Sequence, residues 1–169
     1  MKNLSTLKTL LKVFHFILWA LFYMAAILFI SMLFYGDKLE ESILSNPLAY
    51  NFDAWGVRLY FGSMLVLFFL FASGVSILNK GSDSITPIDP FPEKPLLYKK
   101  AGAYFIITGI GAIAIQFLGP LLFINELHLS IDYTSLSAFF IVIIGLFFIF
   151  FGEAFLQAKA LQKENDLTI

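Results

Sequence analysis

Cysteine is absent from the 169 residues. That excludes disulfides, thiolate nucleophiles, cysteine-ligated metals and thiol-redox membrane chemistry. Histidine occurs only as His15 and His128, too few and too far apart for a zinc motif. Charged residues make up 14% of the chain and the formal net charge is −1, so no bulk electrostatic attraction to nucleic acid exists and no direct contact with it is expected. No nucleophile triad, glycine-rich phosphate loop or metal-spaced acid cluster occurs along the chain. Enzymatic chemistry therefore has no residue set to rest on, and no cofactor is implied.

Apolar residues fill the space these leave. They are 59% of the chain, with 21 phenylalanines, against roughly 45–50% in an ordinary soluble domain. One soluble core of this size could not hide that much apolar surface. The expectation is an all-α membrane protein of a single transmembrane domain (1–169). Its four helices are expected near 13–35, 57–78, 101–124 and 136–158, with 159–169 as a tail. Each run is long enough to cross a bilayer core, which takes roughly 20 residues, and continuous apolar runs favour helices over barrel strands. The first run is too long for the apolar segment of a signal peptide and lacks a small-x-small cleavage site, so it reads as a retained helix.

Lysine and arginine set the orientation. Lys2, Lys8, Lys12, Lys80, Lys94, Lys99, Lys100, Lys159 and Lys163 fall on one side, and only Lys38 and Arg58 on the other. Both termini are expected in the cytoplasm. Tyr35, Trp55, Tyr60 and Tyr133 would mark the outer boundary, with Tyr98 and Tyr104 at the inner one. The first outer loop has room for one short helix before Asn46-Pro47. The proline-rich inner loop should resume helix around Pro95, a residue tolerated in a first helical turn. Gly119-Pro120 should bend or loosen the third helix.

Four residues are candidates for function. Glu153 lies one to two turns inside the inner end of the fourth helix, where a carboxylate is costly but can snorkel. It reads as a structural residue hydrogen-bonded to another helix, as a partner or ligand contact, or as a proton or cation carrier. His15 sits at similar depth in the first helix. It would form a pH-sensitive pair with Glu153 if the first and fourth helices pack together, and is otherwise an interfacial histidine. Gln116 continues the seven-residue spacing of Gly102 and Gly109. This line reads as an intramolecular packing seam, with a homo-oligomer interface or the wall of a ligand cavity as alternatives. Arg58 opens the second helix, positioned to pair with Asp53, Glu126 or Asp132, or with an anionic lipid headgroup. Haem between His15 and His128 is excluded by depth, whereas His–Met ligation through Met24 or Met64 stays open.

Two stretches together carry a resemblance. DPFPEKPLLYKKAGAYF (89–105) resembles a pattern of Pro-Phe, polar residues and then Leu-x-x-Lys-x-Gly. GEAFLQAKALQKENDLTI (152–169) resembles one of an acidic residue, Phe, a small residue, Leu, an acidic-rich turn and a final Leu-Thr-Ile/Val. In order and at these distances they are similar to the YoaS-like family of small bacterial integral membrane proteins, a four-helix domain of unknown function. The match covers essentially the whole chain. It departs at Lys100–Gly102, with Pro95 upstream, where a charged helical stretch belongs. The resemblance implies the bacterial cytoplasmic (inner) membrane and a partner among small Cro/Xre-type helix-turn-helix regulators.

The expected function is thus a non-enzymatic adaptor or sensor. Its contact surfaces would be the inner loop and the tail residues Asn165, Asp166, Leu167, Thr168 and Ile169. Asn165-Asp166 would act as a stop, and Leu167–Ile169 as a strand-like end able to add to a sheet edge. The alternatives are a small ion-coupled transporter working through Glu153 and a haem- or quinone-binding protein.

Overall fold

Apolar runs that must satisfy their backbone polar groups without water fold as helices. The described residues form four: α1 (Lys2–Leu44), α2 (Ala54–Asp83), α3 (Leu96–Phe123) and α4 (Tyr133–Asp166). The computed structural model describes residues 2–44, 54–83, 85, 94–123 and 133–166. Each helix contains a stretch long and apolar enough to cross a bilayer: Ser5–Phe34, Arg58–Asp83, Leu96–Gly119 and Ser135–Asn165. Large side chains on their outer faces, such as Phe16, Phe34 and Phe150, are more than 70% exposed, as residues solvated by lipid rather than by a core would be.

All four helices begin before the expected apolar runs. α1 is 43 residues long, about 65 Å at 1.5 Å per residue, against a hydrocarbon thickness of about 30 Å. The short helix for which the first outer loop has room before Asn46-Pro47 is not separate. α1 carries through it to Leu44, because nothing between Gly36 and Leu44 breaks helix as proline would. α3 starts immediately after Pro95, whose carbonyl accepts from the Tyr98 amide at 3.1 Å while that of Lys94 accepts from Leu97 at 3.0 Å. Helix also continues through Gly119-Pro120 to Phe123.

Helix interfaces follow chain order: α1 on α2, α2 on α3, α3 on α4. Among the described residues α1 and α4 share no comparable interface, so the assembly is an open series with α2 and α3 inside. α3 is the most buried of the four spans, and α1 and α4 the least. A small core of Leu18, Ala72, Val75 and Phe105 ties the series together, with Trp19, Phe68, Phe71, Ile141 and Phe148 packed around it.

The closest contact is between α3 and α4. A Cβ added to Gly102 would lie 2.5 Å from the Gly145 carbonyl oxygen, and one added to Gly145 would lie 2.8 Å from that of Gly102. One turn pair further along, Gly109 faces the Ala138 carbonyl at 2.8 Å; in the other direction Gly152 faces the Lys99 backbone nitrogen at 3.0 Å. Small residues thus recur every seventh position on both antiparallel helices. A seven-residue repeat is the signature of helices held against each other along one seam, and absent side chains let the backbones approach. The line of Gly102 and Gly109 is therefore an intramolecular seam.

Candidate functional site

Local contacts gather the start of α1, the end of α2, the start of α3 and the end of α4 at one end of the molecule. Lys8 Nζ donates to the carbonyl oxygens of Asp83 (3.3 Å) and Ile85 (2.5 Å). One turn on, Lys12 pairs with the Asp83 carboxylate at 3.0 Å. The basic start of α1 therefore supplies donors to the last carbonyl of α2 and to that of Ile85 just beyond it, where a cation also meets the negative end of the helix dipole. Gly81 packs against the Tyr98 ring, joining α2 to α3.

The same end holds Glu153. Lys99 Nζ, from the first turn of α3, donates to Glu153 Oε2 at 2.6 Å, with the side chains 37% and 48% exposed. Gly152 lets the stem of Lys99 lie against α4. The carboxylate is thus a partly solvated member of an interhelical ion pair. Lys99 drew no attention in the sequence because it is one of a run of interfacial lysines; only the packing of α3 on α4 singles it out. The two stretches that carry the family resemblance meet here, Lys99 from one and Gly152-Glu153 from the other.

His15 is placed away from Glu153. Its Nε2 lies 3.0 Å from Ser76 Oγ on α2, and since α1 and α4 do not pack together, the His15–Glu153 pair does not form. An open groove beside it is lined by Phe16, Trp19, Ala20 and Tyr23. His15 also stands about 13 Å along α1 from Met24, and the Ser76 level about 18 Å along α2 from Met64, by the helical rise. Neither methionine shares its depth, so His–Met ligation of a single haem has no geometric basis here.

Tyr98 is not a belt residue. It is 4% exposed, packed against Phe148, Phe151 and Phe155 of α4, because its position in the first turn of α3 faces the seam. Gln116 is half-buried on α3. Arg58 is half-buried where the membrane-crossing stretch of α2 begins; its expected partners Asp53, Glu126 and Asp132 lie outside the described residues. α4 runs through Asn165 to end at Asp166, and its residues Lys159–Asn165 are all exposed. Leu167, Thr168 and Ile169 are outside the described residues. Among the described residues no three His, Asp or Glu side chains gather as a metal site would require.

The described residues define an all-helical protein with four helices of membrane-crossing length and a charged end at which Lys8, Lys12, Asp83, Lys99 and Glu153 are paired. Comparison with family models, curated proteins and solved structures finds no match in any of the three.

Proposed function

We propose that the chain is a non-enzymatic, multi-pass protein of the bacterial cytoplasmic membrane that acts as an adaptor or sensor for a small cytoplasmic helix-turn-helix regulator. The observation that carries the reading is the continuation of α4 as helix to Asp166, with Lys159–Asn165 exposed. Burying part of such a helix against a partner is a common mode of protein recognition. Lysine distribution supports a cytoplasmic location for this end, and the resemblance to YoaS-like proteins suggests the class of partner. The transporter reading has less to stand on, since Glu153 is held by Lys99 at an exposed end and is not among the residues that line the groove beside His15.

The test is co-purification of the regulator encoded beside this chain, with the intact protein and with one lacking residues 164–169. The intact protein should retain the regulator and the truncated one should lose it. Failure of the intact, folded protein to bind would end the proposal.

A further inference from the structure

Between α1 and α2, toward the end away from the ion pairs, lies a half-open slot of about 360 Å³. Ala25, Phe29 and Met32 line it from α1, and Phe61, Met64 and Phe68 from α2. The antiparallel register that pairs His15 with Ser76 and Phe29 with Gly62 brings these stretches side by side. Of the lining side chains only Ser31 is polar, so water entering would find too few partners to stay. The volume falls within the roughly 300–1,000 Å³ typical of ligand pockets.

Shape and charge narrow the occupant. The lining residues recur at i, i+3, i+4 and i+7 on both helices, so the slot is elongated along the helix axes. An acyl chain in a bilayer runs in that direction. Arg58 stands one turn outward of Phe61 on the same stripe, at the start of the membrane-crossing stretch of α2. By the helical rise, Phe61–Phe68 lie roughly 4–15 Å further in. A cation at the boundary above a slot of this depth matches a phospholipid, its phosphate at the guanidinium and one chain in the slot. We infer that this slot is a specific phospholipid site, occupied by one acyl chain of a lipid whose phosphate is held by Arg58. The inference rests on the four helices crossing a bilayer and is independent of the regulator.

Native mass spectrometry of the detergent-purified full chain, titrated with dioleoyl phosphatidylglycerol, tests it. One lipid should bind per chain. Ala25→Phe and Met64→Trp, which fill the slot from opposite helices, should each weaken binding by about tenfold or more. Val66→Trp, bulky but exposed at the same depth outside the slot, should leave it unchanged. Arg58→Gln should weaken the phospholipid by about tenfold but not dioleoylglycerol, which lacks the phosphate. Inorganic phosphate should not displace the lipid.

A second measurement covers the case in which a filled variant fails to fold. Phe68→Trp, in a background of Trp19→Phe and Trp55→Phe, should be quenched by chain-brominated phosphatidylglycerol with saturation at one lipid per chain. Unaltered binding in both filled variants, quenching that rises linearly without saturation, or a dimer that closes the slot would each overturn the assignment.

Discussion

Glu153 shows how far one residue can be judged before its neighbours are known. A carboxylate near the end of an apolar run signals a cost that something must offset. The sequence holds that signal but not Lys99, which lies 54 positions away and meets Glu153 only because α3 and α4 pack together. Both side chains are a third to a half exposed, so solvent screens the pair and its net contribution should be about 0.2–1 kcal/mol. Glu153→Gln and Lys99→Met should each lower thermal stability in detergent only slightly. Their double-mutant cycle should give a coupling within that range, shrinking as salt is raised. A coupling of several kcal/mol, insensitive to salt, would mean that the pair sits in a far drier place than its exposure indicates. Transport lost on Glu153→Gln, with this stability preserved, would revive the carrier reading.

At the scale of elements, half of the seam was legible. Gly102, Gly109 and Gln116 stand out on α3 by their spacing; Gly145 and Gly152 on α4 do not, hidden among phenylalanines and isoleucines that serve lipid as well as protein. In a bilayer, apolar residues do not mark the inward face, so the periodicity that reveals a soluble core is mute, and small residues are what remains to read. The same lack of contrast let Tyr98 pass for an interfacial aromatic when it packs in the seam. The glycines nevertheless differ in what they tolerate. A methyl group on Gly102 or Gly145 meets backbone atoms of the facing helix within 3 Å, whereas on Gly111 it meets first the end of the Leu67 side chain. Backbone cannot step aside; a leucine terminus can. Gly102→Ala and Gly145→Ala should each destabilise by about 1–3 kcal/mol, and Gly111→Ala by clearly less, measured by steric trapping or by unfolding in mixed detergent. Equal effects at the three positions would show that α3 and α4 are not held backbone to backbone.

For the whole molecule, the number of helices was readable from run length alone, and their approximate positions from the same runs. How they pack was not, because nothing in a lipid-facing sequence distinguishes a closed ring from an open series. The series has a consequence for topology. Lys8 and Lys12 on Asp83, Gly81 on Tyr98, and Lys99 on Glu153 lock successive helices at one end, so successive helices alternate in direction and the orientation of one sets the rest. The lysine bias predicts that this whole end lies in the cytoplasm. Because the chain contains no cysteine, single cysteines can report this on an otherwise silent background. Ser5→Cys, Lys80→Cys and Lys163→Cys should react with a membrane-impermeant maleimide only after the cells are opened. Lys38→Cys and Glu126→Cys should react in intact cells. Uniform reversal of that pattern would keep the fold but put the α4 extension outside, where no cytoplasmic regulator could reach it. A mixed pattern would break the alternation itself, and with it the reading of four crossing helices.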